Sequence, residues 1–222
     1  MVIAVMLARA NYGRWPEKSI SDLYGKPVFQ WTLEKVLHVG YDRVIVSTTD
    51  RPEDRCIVDI AGSLGATIEY GPPNDRSERI RQCIEKYKPE YCAVPIPNQP
   101  FFDLDMSQLI LSLCRDNPGH EIYSSGSWMT HQAEIKIYHT SGFQVQEQKE
   151  KDREQYLKYN PSQRAGHCYV YDPYDERIRN RYLIDCNIAY PLHLDMANEV
   201  CRILGHFPRN YDEVISAYTK KV

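Results

Sequence analysis

The chain has no C-x-x-C pair, no His/Cys cluster at zinc spacing, no Walker A loop and no G-x-G-x-x-G. Seven scattered cysteines without paired spacing read as reduced thiols and exclude a disulfide frame. Seven dispersed histidines, none clustered at zinc spacing, argue against a zinc site. Excess positive charge is missing as well: the net charge is −3, so there is no global basic field for nucleic acid, and any anion site must be local. The opening apolar run, VIAVML, is too short to cross a bilayer and lacks a signal-peptide cleavage pattern. Cytoplasmic residence without a membrane partner is the expectation. Neither an internal repeat nor a low-complexity linker interrupts the 222 residues.

What is present is regular alternation. VIAVML reads as a buried strand, and PVFQWTLEKVLHV follows at helical spacing until Gly40. RVIVSTT is a second strand, and PEDRCIVDIAGSLG a helix with Pro52 and two acids at its start. ATIEYG, NDRSERIRQCIEKY, YCAVPIP and DLDMSQLILSLCRD continue as strand, helix, strand and helix, the last with Asp103 as N-cap. Repeated β-α-β units imply a mainly parallel sheet covered on both faces, in an α/β/α arrangement. Ligands of such sheets bind at the strand carboxyl ends, which selects the loops 8–18, 48–52, 71–75 and 97–103.

Beyond residue 120 the pattern changes. EIYSSG and EIKIYHTSG read as antiparallel strands, and QVQEQKEKDREQYLKY as a solvated helix held by i,i+4 charge pairs. HCYVYDP and NIAYPLHLD read as strands, the second ending in Asp195, with MANEVCRILGH and NYDEVISAYTKKV as closing helices. One domain over 1–222 is expected, with residues 120–182 as an elaboration on the sheet.

The first loop, ARANYGRWPEK, leaves the first strand with Gly13 and three cations, Arg9, Arg14 and Lys18. Backbone N–H groups, a glycine that allows close approach, and guanidinium forks are the three means by which such a loop grips phosphate. The alternative is a surface turn whose cations are simply solvated. Arg79 is either a surface cation or a group near a nucleotide base, and Asp75 either caps its helix or meets that base. Asn98 and Gln99 either read a base or sugar hydroxyl or form a turn before Pro100. Asp195 is an N-cap, a metal ligand or both, and His193 reads as a packed strand histidine.

The loop resembles the signature of the cytidylyltransferases that activate acidic sugars, a group that includes the CMP-ketodeoxyoctonate and CMP-acylneuraminate synthetases and the related spore-coat polysaccharide proteins. Ala8, Arg9, Arg14, Trp15, Pro16 and Lys18 fall at its spacings, and Gly25-Lys26-Pro27 matches the G-K-P that follows. The stretch from Ser47 to Ile80, with Asp75, Glu78 and Arg79, is similar to the family's next segment, and YPLHLDMANEV resembles the one carrying a metal-binding aspartate. The resemblance implies a Rossmann-like nucleotidyltransferase fold, CTP and an anionic sugar as substrates, Mg²⁺ as cofactor and a homodimer. It implies that Arg9, Arg14 and Lys18 hold the phosphates, that Ala8, Asn11, Gly13, Asp75, Arg79, Asn98 and Gln99 contact the nucleotide, and that Asp195 and Asn98 hold metal. It also implies that residues 120–182 shape the acceptor site or a dimer contact.

Two departures qualify it. Where several family members end the fourth strand in a metal-holding aspartate, this chain has Asn98, a neutral ligand. An acid-x-acid pair near the C-terminus is reduced to His193 and Asp195. Two rival readings therefore stand: a nucleotide- or sugar-binding homologue with impaired catalysis, and a glycosyltransferase using Asp103-Leu104-Asp105 as a metal motif.

Overall fold

The computed structural model describes residues 1–11, 15–124, 135–147, 155–159, 167–169 and 188–219. Strand β1 (Val2–Leu7) is buried at all six positions, as its uninterrupted apolar sequence requires of a strand covered on both faces. A single 3-10 turn (Pro16–Ser19) and a small hairpin, β2 (Asp22–Leu23) with β3 (Lys26–Pro27), lead to helix α1 (Val28–Val39). Tyr24 and Gly25 both take positive φ in the hairpin's two-residue turn, a conformation that a glycine adopts without steric cost. Strand β4 (Arg43–Thr48), helix α2 (Arg55–Ser63), strand β5 (Thr67–Tyr70), helix α3 (Arg76–Tyr87), strand β6 (Tyr91–Ala93) and helix α4 (Leu104–Asp116) follow. Strands β7 (Ile122–Ser124), β8 (Ile137–His139), β9 (Phe143–Glu147), β10 (Gln155–Tyr159) and β11 (His167–Tyr169) come next, then helices α5 (Pro191–Leu204) and α6 (Tyr211–Thr219).

Seven strands form one sheet in the order β11-β7-β8-β6-β1-β4-β5. All of its pairings are parallel except those of β8, which runs antiparallel to both β6 and β7. The strand period of two divides the core. Val2, Ala4 and Met6 pack with α1, α2, α4, α5 and α6 on one face, while Ile3, Val5 and Leu7 pack with Ile80 and Cys83 of α3 on the other. This is the expected α/β/α arrangement, with the antiparallel reading of β7 and β8 borne out.

Two expectations need correction. Residues 144–147 and 155–159 of the charged stretch are strand and not helix: β9 and β10 pair antiparallel, Phe143 opposite Tyr159 and Glu147 opposite Gln155. FQVQE alternates with the strand period and QYLKY carries two aromatics of high strand preference, whereas i,i+4 charge pairs contribute only about 0.2–0.5 kcal/mol each, too little to impose a helix that lacks an apolar stripe. Residues 148–154 lie outside the described ones. Likewise, the segment read as a strand ending at Asp195 is helical from Pro191, whose ring suits the first helical position. Asp195 therefore lies inside α5, and His193 with it.

The DLD segment is structural. Asp103, fully buried, caps α4 by accepting from the Met106 N–H at 2.8 Å, and it also accepts from the Tyr211 N–H at 3.0 Å. Burial pushes its carboxyl above the usual range, against the lowering effect of those two bonds. Asp105 is gripped by Arg209 through Nε at 2.9 Å and Nη2 at 2.6 Å. Both acids serve helix starts and an ion pair, which removes the metal motif on which a glycosyltransferase reading rested. Asp103→Ala should destabilise the protein by about 2–3 kcal/mol, combining a lost cap with an orphaned N–H. Thermal denaturation reads this as a drop of several degrees; an unchanged melting temperature would contradict the double role.

Candidate active site at the strand carboxyl ends

The first loop is anchored from beneath by a carboxylate. Asp54, fully buried at the start of α2, accepts from the Ala10 N–H at 2.7 Å and from the Thr49 hydroxyl. Its Oδ2 faces the Arg9 Nε at 3.8 Å. A buried carboxylate requires such partners, because an unpaired one carries a large desolvation cost. Ala8, also buried, donates to the Ser47 carbonyl at 3.1 Å, so the chain leaves β1 still tied to the end of β4. Arg9 then reaches across to the Pro73 carbonyl with Nη1 at 2.7 Å. Asn11 is exposed, and Lys18 is half-buried in the Pro16–Ser19 turn. Gly13 and Arg14 lie outside the described residues.

The opposite wall is the turn into α3. Gly71 donates to the Thr48 carbonyl at 3.1 Å, and Asp75 caps the helix by accepting from the Glu78 N–H at 2.8 Å. Arg79 is buried, with Nη1 donating to the Ser47 carbonyl at 3.1 Å, which rules out the surface-cation reading. A Cβ at position 71 would lie 2.6 Å from the Arg79 Cγ, so only glycine lets the arginine stem pass there. Arg76 stands exposed one residue after the cap.

The remaining wall joins two distant segments. Asn98 is buried, its side-chain amide donating to the Ile188 carbonyl at 2.7 Å while its own carbonyl accepts from the Ile188 N–H at 2.9 Å. Between these walls lies a cavity of about 270 Å³, lined by Arg9, Lys18, Arg76 and Arg79 together with Asn98 and Ala189. No Asp or Glu lines it among the described residues. Four cations in one cleft of a chain with net charge −3 make a local positive pole, the electrostatic character of an anion site.

Of the residues expected from sequence, the cavity brings together Arg9, Lys18, Arg79 and Asn98. Ala8 and Asp75 support its walls through backbone bonds. Gln99 is buried beside it, with its carbonyl accepting from the Phe102 N–H at 3.4 Å. Asp195 is exposed on α5 and is not among the lining residues; the segment presents Ala189 instead. His193 meets the Ala189 N–H through Nδ1 at 3.4 Å. No group of three His, Cys, Asp or Glu side chains suited to a metal occurs among the described residues. The donors expected for Mg²⁺ thus do not converge. Sequence reading missed Arg76, whose place directly after a helix cap was a usable signal, and Asp54, for which no local signal existed.

Residues 3–103 match a family model described as cytidylyltransferase. The 3-deoxy-manno-octulosonate cytidylyltransferase of Aeromonas hydrophila is 40% identical over 87 residues, covering 38% of this chain and 34% of that protein. The enzyme of the same name from Vibrio cholerae serotype O1 is 33% identical over 84 residues, 37% of this chain and 32% of its own length. The matches therefore span about a third of these curated relatives. Among solved structures, a cytidylyltransferase from Leptospira borgpetersenii superposes with a TM-score of 0.56 at 21% identity, covering 63% of this chain and 60% of that one. A CMP:2-keto-3-deoxy-manno-octonic acid synthetase complexed with CTP gives 0.51 at 16%, covering 63% and 74%. Both likenesses establish the fold. Residues 3–103, which hold Arg9, Lys18, the Arg76–Arg79 turn and Asn98, are by sequence a match to the cytidylyltransferase family.

Proposed function

We propose that the chain is a nucleotidyltransferase that moves CMP from CTP to an acidic sugar, or a related acceptor, for the synthesis of a surface polysaccharide or glycan. The observation that carries this reading is the cavity at the carboxyl ends of β1 and β6, whose four cations all belong to the segment that matches the cytidylyltransferase model. An acceptor oxygen attacks the α-phosphorus, forming the new P–O bond as the bond to the β-phosphate breaks. The acceptor's proton goes to solvent, and pyrophosphate leaves with the bonding electrons. Charge accumulates on that leaving group, so Arg9, Lys18, Arg76 and Arg79 act by stabilising it more in the transition state than in bound CTP. Arg14 belongs to the same group by resemblance, as Ala8, Asn11 and Gly13 do to the nucleotide's backbone contacts. By resemblance Mg²⁺ attends the transfer reaction, but no step is routed through it, because the described lining offers it no carboxylate. A homodimer in the cytoplasm, with residues 120–182 shaping the acceptor site or the dimer contact, completes the proposal.

One observation favours a second reading, nucleotide binding without transfer: the lining carries an amide and a methyl group, Asn98 and Ala189, and no described carboxylate. A pyrophosphate-release assay with CTP, Mg²⁺ and a panel of sugar acids that includes 3-deoxy-manno-octulosonate separates the two. Release with at least one acceptor is expected. Lys18→Gln should slow it on the order of 10²-fold with the melting temperature unchanged. CTP binding without release across the panel would favour the second reading, and full turnover in the Lys18 variant would remove that residue from the mechanism.

Asp54 acts on this chemistry only through Arg9 and Ala10, as a positioning residue. Asp54→Asn deprives Arg9 of its buried counter-charge at a cost of about 3 kcal/mol. The expected result is a lower melting temperature together with a raised KM for CTP. A variant with wild-type values for both would show that the loop holds its shape without the carboxylate.

A further inference from the structure

The nucleotide reading leaves the form of the bound polyphosphate open, and the cavity wall bears on it. We infer that this cleft takes the polyphosphate as the metal-free anion, with Arg9, Lys18, Arg76 and Arg79 supplying the positive charge. The inference rests on the reading of the cleft as a nucleotide site.

Asn98 is committed to a structural bond that a carboxylate cannot make. Its amide N–H donates to the Ile188 carbonyl at 2.7 Å, and the Ile188 N–H returns to its backbone carbonyl at 2.9 Å. An aspartate there would set a carboxylate oxygen against a carbonyl oxygen, which repels, at a residue that is largely buried. The amide is thus chosen for the clasp that joins the 97–99 loop to the 188–190 segment. The next residue of that segment to face the cavity, Ala189, offers a methyl group. Asp195, the acid expected to hold metal, points from the exposed side of α5.

A divalent ion entering this cleft meets four cations, only Arg9 of them backed by the buried Asp54, and no carboxylate among the described lining residues. Mg²⁺ also cancels two of the negative charges that the cations would otherwise pair, and it brings a large positive charge of its own into a cleft already positive. Both effects favour the free anion over its Mg²⁺ complex. Arg76 is the cation best placed to show the difference, because it is exposed and its loss leaves the cap and core of α3 in place.

The test is a calorimetric titration of the full chain with CTP, and in parallel with inorganic tripolyphosphate, in EDTA and in excess Mg²⁺. Binding of both probes in EDTA at least as tight as in Mg²⁺ is expected. Arg76→Gln should weaken the EDTA titration about tenfold, the scale of one charge-assisted hydrogen bond, and the Mg²⁺ titration less. Binding that needs Mg²⁺ would overturn the inference while leaving the nucleotide site standing. No binding of CTP in either buffer would overturn the nucleotide reading and this inference together.

Discussion

A single buried carboxylate ties together the two loops that leave the centre of the sheet, after β1 and after β4. Asp54 receives bonds from Ala10, which follows β1, and from Thr49, which follows β4, while facing Arg9. Its burial is complete, so losing any partner leaves a charge in a medium that cannot solvate it. The loops after β1 and β4 are therefore held to one another, and Arg9 is aimed across the cleft at the Pro73 carbonyl. The wall opposite follows the same logic with neutral groups. Arg79 is fixed by the Ser47 carbonyl, its stem lying over a glycine that no larger residue can replace without a clash.

The result is a positive cleft in a protein whose net charge is −3. Preorganised cations of this kind need little reorganisation when an anion arrives, which is the property that makes them effective toward developing charge. The same preorganisation separates the two halves of a phosphoryl-transfer site. Cation groups here are supplied by residues 9 to 79, with Arg9 and Arg79 held by bonds to the carbonyls of Pro73 and Ser47. The acidic half would have to come from the seam between residues 98 and 189, where the chain instead closes a hydrogen-bonded clasp.

Much of this was legible in the sequence, and the reasons differ by element. β1 and β4 are unbroken apolar or β-branched runs, and α1 ends where Gly40 takes a φ of 99°. Asp75 and Asp103 stand just before helical periodicity, where capping chemistry predicts them, and both caps form. Arg9 and Lys18 are legible because their loop leaves a strand end, and Arg79 through the resemblance that it carries with Asp75 and Glu78. The failures have physical causes as well. Residues 144–159 are read by charge spacing, although the alternation of FQVQE is a strand signal and pairing with a second strand decides such a segment. Asp195 was judged by its place after an apolar run, but Pro191 opens a helix there and turns the acid outward. Asp54 sits 44 residues from the amide it anchors, a distance over which no motif operates.

The central claim is that the cleft recognises phosphate charge before it recognises a base. Titrating CTP, CMP and cytidine at low and at high salt tests this most directly. The account predicts that affinity rises steeply with phosphate number, and that the CTP affinity falls with salt while any cytidine binding does not. Equal affinity for cytidine and CTP, insensitive to salt, would contradict it.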